Sequence, residues 1–214
     1  MKYQAPKLPP LATLEPATVG DIVGDASLEA VHVHGGEAVG VVAPSVTIDE
    51  SVLEKVSLAG STFERLRISD SELKACDISG TRCSGSSLIR VRIIGGRLTG
   101  ADFSRATLKD VVFEGCKLDM ANFRACTLKR VSFIDCMLTE TDFQNASLDD
   151  ISFDSSTLQK VAFDHVSAHR VDARTSQLLD IRGWQYLKGI KLTSTQLIGV
   201  APQLALELGI VIED

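Results

Sequence analysis

The chain has 214 residues and a net charge of −6, from 28 acidic and 22 basic residues. That length suits one core or one solenoid rather than two domains, and the mild acidity disfavours the basic footprint of a direct nucleic-acid binder. No apolar run reaches the ~18 residues of a membrane span, and Met1 to Pro10 lacks an apolar signal-peptide core. Five cysteines without a CxxC pattern fit reduced thiols, so a cytoplasmic protein is expected.

Residues 1–22 are proline-rich and aperiodic and read as an irregular N-terminal segment that covers the exposed end of the periodic region after it. From Val23 to Leu178 every fifth residue, 32 positions without an insertion, is apolar, which marks a repeat architecture. Two residues before each centre, from Ser51 to Ser176, stands Ser, Thr, Ala, Val, Cys or Gly, with Leu66 and Ile151 as exceptions. A small residue is needed there because it also points inward, beside the bulky centre, where close packing leaves little room. Val33 to Ala43, with Gly35, Gly36, Gly40 and Pro44 nearby, reads as weaker coils or a hairpin.

Segments such as Ala101-Asp102-Phe103-Ser104-Arg105 and Ala121-Asn122-Phe123-Arg124-Ala125 run Ala, then Asp or Asn, then Phe, then two variable residues. In this the chain resembles the pentapeptide-repeat family, firmly over residues 48–180 and loosely over 23–47. The resemblance implies an all-β solenoid. Residues 23–180 would form a right-handed quadrilateral β-helix of about eight 20-residue coils, four pentapeptides to the coil.

Two features select that pitch independently. From Phe103 to Phe163 the centres alternate Phe and Leu, which puts Phe on two opposite sides of a four-sided coil and stacks each residue on its own kind. Residues 20 apart become cross-strand neighbours, and one such column reads Asp70, Arg90, Asp110, Arg130, Asp150, Arg170. Opposite charges directly across strands help and like charges hurt. Further pairs at that separation are Glu54–Lys74, Glu72–Arg92, Asp77–Arg97, Lys129–Asp149, Asp154–Arg174 and Glu140–Lys160.

Beyond Leu178 the period fails, and residues 181–214 read as a C-terminal cap with short helices. Ser194-Thr195 suits a helix start, Pro202 the first turn of a second helix and Gly209 a stop, with Ile210-Val211-Ile212 as a last strand. Leu197, Val200, Leu204 and Leu208 supply an apolar face. That face caps the rod, joins two copies in the twofold homodimer that the resemblance implies, or does both.

Catalytic chemistry finds no motif. Cys76, Cys116, Cys126 and Cys136 occupy the small inward position and Cys83 a centre, where thiols serve as small hydrophobes. His32 and His34 flank Val33, and His165 and His169 lie near the far end. Neither pair has a third ligand type at a recognisable spacing, so both read as surface histidines. Nucleophile elbow, P-loop, zinc signature and dinucleotide fingerprint are all absent from the sequence. No catalytic residue, cofactor or metal is therefore expected.

The sequence thus reads as a non-enzymatic scaffold for an unidentified protein partner. The resemblance implies an alternative, a DNA-mimicking binder of gyrase or another type II topoisomerase that inhibits it or protects it from quinolones. The candidate surface for either is Asp135, Glu140, Asp142, Asp149, Asp150, Asp154 and Asp164, offset within that stretch by Lys160 alone. Phosphate mimicry needs many unneutralised carboxylates. The 20-residue pitch gives several of these acids a basic neighbour, which weighs towards the scaffold.

Overall fold

The structure, a computed structural model, describes residues 3–211. The chain winds as a parallel β-solenoid of about eight turns, closed at one end by a helix. Each turn lies on the next in a 20-residue register: Thr107 pairs with Thr127 and Phe113 with Phe133, Asp102 with Asn122 and Lys117 with Met137. We number the four sides by their inward centres. Side one carries Leu88, Leu108 and Leu128; side two Ile93, Phe113 and Phe133; side three Leu98, Leu118 and Leu138; side four Phe103, Phe123 and Phe143. Sides one and two are bridged by eight-residue strands such as Thr107–Glu114 and Thr127–Ile134, bent at residues 110 and 130. Sides three and four are held mainly by single bridges.

The corners explain why the frame tolerates no insertion. From Asp25 to Arg170 the residue two after every centre has a positive φ, between 44° and 70°. Side chains other than Gly lose roughly 1–2 kcal/mol in this left-handed region, yet Arg105, Asp110 and Met120 all adopt it. What holds them is the next turn: Arg105 N–H donates to the Arg124 carbonyl at 2.9 Å and Met120 N–H to that of Thr139 at 2.7 Å. One residue of slip would misplace every such corner.

The small inward position has a second duty beyond saving space. Cys126 Sγ donates to the Phe103 carbonyl at 2.8 Å, Thr141 Oγ1 to that of Leu118 at 2.9 Å and Ser176 Oγ to that of Phe153 at 2.6 Å. A carbonyl oxygen can accept twice, and where a backbone N–H already donates, as Ala106 does to Phe103, Ser, Thr and Cys are the small residues that add a second donor.

Inside, Phe103, Phe123, Phe143 and Phe163 form one column with ring centroids 5.1–5.3 Å apart, and Phe113, Phe133 and Phe153 form a second at 5.0–5.1 Å. Across the interior the two columns meet edge to face, as Phe123 and Phe133 do at 6.1 Å and 81°. Offset and edge-to-face pairs suit the ring quadrupole and add about 0.5–1.5 kcal/mol each beyond burial.

At the N-terminal end Glu15–Ala17 pairs with Val31–Val33, and Leu14 and Ile22 are buried. At the other end the period stops at Gly183, which occupies the next centre position. Its φ is +84°, and a Cβ there would lie 2.6 Å from the Phe163 carbonyl carbon, so no side chain can enter. A single helix, α1, Ser194–Glu207, then crosses the end of the rod. The sequence suggests two short helices with Ser194-Thr195 at the start; instead Thr193 is the cap, in a capping box with Gln196, and Pro202 lies inside α1. The helix tolerates Pro202 because the carbonyl it deprives of a partner belongs to Ile198, an exposed position. Gly209, at φ +71°, ends it as expected. Ile210 and Val211 are not in a strand, and Ile212 lies outside the described residues. Among those residues no helix is long and apolar enough to cross a membrane.

Candidate interaction surfaces

The edge between sides one and two carries the alternating charge column, and it resolves into three separate pairs. Arg90 is bidentate on Asp70, Arg130 on Asp110 at 2.6 Å twice, and Arg170 reaches Asp150 at 3.1 Å. Residues 3–10 do not fold over the first turn; they run along this edge. Lys7 N–H donates to Asp70 Oδ1 at 2.9 Å, and Gln4 N–H to Asp110 Oδ1 at 3.0 Å. Asp70 and Asp110 are thus each held by both an arginine and a backbone amide. The Asp110 side chain is fully buried, and Val112 and Ser132, outward positions on side two, are buried as well. The hydrogen bond from Arg90 holds the Asp70 carboxyl below its ordinary pKa. At Asp110 burial pushes the pKa up, but Arg130 and the Gln4 amide outweigh it, leaving it lowered.

The seven candidate acids are spread around the rod. Asp149 lies on side one, Asp150 on the following corner, Asp154 on side two, Asp135 and Glu140 on the corners flanking side three, and Asp142 and Asp164 on side four. Five have a basic partner: Glu140 with Lys160 at 3.6 Å, Asp142 with Arg124 at 3.2 Å, Asp149 with Arg170 at 2.8 Å, Asp150 with Arg170, and Asp164 with Arg182 at 3.9 Å. Asp154 instead accepts from Ser152 Oγ at 2.9 Å. Elsewhere Glu72–Arg92, Asp77–Arg97 and Lys129–Asp149 pair across turns as the pitch requires. Lys74 and Arg174 do not take their expected partners; they close on Glu72 and Asp172 at 2.7 Å. Their expected partners are already engaged, Glu54 by His34 and Lys55 and Asp154 by Ser152, and the residue two before each lies on the same outward face within reach of a long side chain.

The C-terminal end separates into an inward and an outward face. Val200 is buried, and Leu204 packs against the core beside it. Polar groups of the segment take up free edge groups of the last turn: Gln196 Nε2 donates to the Ala173 and Ser176 carbonyls at 2.7 and 2.8 Å, and Glu207 Oε1 accepts from Gly183 N–H at 2.9 Å. Leu197 and Leu208 are exposed together with Ile198, Leu206, Ile210 and Val211. Beside α1 runs an apolar groove lined by Trp184, Leu187, Ile190, Leu192, Leu197 and Leu204.

All five cysteines are buried free thiols. Burial pushes Cys83 and Cys126 up to about 12, and the hydrogen bond with Cys116, reinforced by burial, raises Cys136; such thiols are poor nucleophiles. His165 packs on Tyr186 with centroids 4.7 Å apart, and His169 Nδ1 bonds Asp149 at 2.9 Å. His32 and His34 do acquire a third potential ligand, Glu54. The sequence reading missed it, although the 20-residue pitch places Glu54 directly across from His34.

No curated protein matches the chain significantly. Among solved structures it is similar to trypsin-treated QnrB1, described as a plasmid-mediated fluoroquinolone resistance protein, at 20% identity over 94% of this chain and 100% of that one, with a TM-score of 0.46. It is also similar to HetL, a pentapeptide repeat protein involved in heterocyst differentiation regulation from Nostoc sp. strain PCC 7120, at 16% identity over 78% and 90%, with a TM-score of 0.37. The family described as pentapeptide repeat region matches residues 46–122 and 106–182, more than half of the chain and the stretch where the phenylalanine columns stand. The chain belongs to the pentapeptide-repeat family.

Proposed function

We propose that the protein is a non-enzymatic interaction rod that pairs end to end with a second copy through the outer face of α1 and offers its flat sides to a protein partner. The observation that carries this is the chemistry of that outer face. Residues 194–206 hold no charged side chain, in a chain that is 23% charged. Ile198 and Leu206 are 76% and 79% exposed. Such a face offers nothing for an oppositely charged partner to complement, and a second copy supplies the apolar surface it needs for burial. A twofold axis would let the exposed leucines of one copy enter the groove beside Trp184 of the other. Light scattering on purified protein should give a dimer, and Ile198→Asp with Leu206→Asp a monomer with unchanged far-UV circular dichroism. A monomeric wild type at high concentration would sink the pairing, and substrate turnover would sink the non-enzymatic reading.

The ion pairs of Glu140, Asp142, Asp149, Asp150 and Asp164 weigh against DNA mimicry, because a phosphate mimic must keep its charge unneutralised. A gyrase supercoiling assay, with and without a quinolone, separates the readings; the scaffold predicts no effect.

A further inference from the structure

We propose that His32, His34 and Glu54 form a binding site for a divalent transition metal, best suited to zinc, that ties the first turn of the rod to the second. Val33 points into the core and is fully buried. Alternation along the strand Val31–His34 therefore turns both flanking histidines outward on side two. Their rings stand edge to face with centroids 5.8 Å apart. The next turn sets Glu54 opposite His34 in the strand register. Its Oε2 lies 3.5 Å from His32 Nε2 and 3.2 Å from His34 Nδ1, and the three atoms fall within 4.8 Å of one another.

These separations can be compared with what an ion requires. Zinc bonds of about 2.0–2.1 Å at tetrahedral angles place neighbouring ligand atoms roughly 3.3–3.4 Å apart, and 3.2 and 3.5 Å straddle that value. A hydrogen-bonded cluster accounts for the site less well. His32 Nε2 is hidden from solvent and has no hydrogen-bond partner, because 3.5 Å is long for such a bond. An ion between it and the carboxylate would satisfy it.

The surroundings fix the mode of binding. Lys55 Nζ sits 3.6 Å from Glu54 Oε1, which occupies that oxygen and leaves Oε2 as a single donor. Two imidazoles and one carboxylate oxygen suit zinc, nickel or copper rather than calcium or magnesium. Three protein ligands leave a fourth position for water. The strand that bears the histidines pairs with Glu15–Ala17 on one side and Val52–Glu54 on the other, so the ion would clamp the first turns of the rod together.

The test is titration of the full chain with Zn²⁺ by calorimetry, with Co²⁺ absorption as a report of coordination geometry. One ion per chain, a four-coordinate cobalt spectrum and a Tm that rises with added zinc are expected. His34→Ala and Glu54→Gln, both surface changes that should leave the circular dichroism intact, should each weaken binding by roughly tenfold or more, whereas His169→Ala should not. Absence of binding, binding that survives both substitutions, or binding lost with His169→Ala overturns the proposal.

Discussion

Between Phe103 and Phe163 two columns of phenyl rings fill the rod, whereas the turns before Phe103 enclose an apolar cavity of about 30 Å³ bordered by Ile48, Leu53, Phe63, Leu73, Cys83 and Ile93. The backbone pitch is the same in both regions, so the cross-section to be filled is also the same. Only side-chain volume differs. Two Phe and two Leu per turn meet the requirement; Ile and Leu, with Cys83 interrupting the side-four column between Phe63 and Phe103, fall short of it. At ~24 cal/mol per Å³, a void of that size costs about 0.7 kcal/mol. The shortfall is tolerable, but it is concentrated in the half of the molecule that also lacks ring stacking.

The largest effect should come from emptying the filled half. Phe123→Ala removes a ring stacked on Phe103 and Phe143 and should lower stability by about 3–5 kcal/mol in urea unfolding. A cost near 1 kcal/mol would mean that the columns relax as freely as the first turns.

The two halves are joined by the segment 3–10, anchored on Asp70 in one and Asp110 in the other. Asp110→Asn keeps the shape but loses the charge opposite Arg130, and should cost about 1–3 kcal/mol. It should also change the response to acid. Both carboxyls have folded pKa values below their ordinary ones, so the unfolded chain binds more protons. Their contribution is complete above the unfolded value of about 3.9 and is lost as pH falls below it towards the folded values. Urea midpoints measured from neutral pH into that range should fall less steeply for Asp110→Asn than for wild type.

Filling the loose half should have the opposite sign. Cys83→Leu adds volume beside the cavity and should raise stability by about 0.5–2 kcal/mol; a loss would show that the void is too narrow to use. Smallest of all, Gln144→Ala changes an outward position in the filled half and should stay within about 0.5 kcal/mol of wild type.

Much of this was legible in the sequence because a solenoid turns one-dimensional spacing into three-dimensional neighbourhood. The period of five gave the inward centres, and the alternation of Phe and Leu gave the two ring columns. The pitch of 20 gave pairs such as Asp110–Arg130. What escaped depends on choices that spacing does not encode. Lys74 had Glu54 and Glu72 within reach and took Glu72, Glu54 being engaged by His34 and Lys55. Backbone amides recruited Asp70 and Asp110, and a peptide N–H leaves no trace in residue type. Other signals were present and unread. Gly35, Gly40, Gly60, Gly80 and Gly95 all fall two after a centre, which marks the left-handed corners. His34 and Glu54 differ by one full turn.

The segment 3–10 also bears on the order of assembly. Each turn of the rod touches only its neighbours, so growth can start at any turn and spread both ways. The anchors of this segment lie two turns apart, and Gln4 is 106 residues from its own. It cannot dock until the turns between Asp70 and Asp110 have closed, although it precedes every one of those turns in the chain. Contacts that form after the folding barrier slow unfolding without hastening folding. The N-terminal segment therefore acts as a latch on escape from the finished rod, and its removal should show in the rate of unfolding more than in the rate of folding.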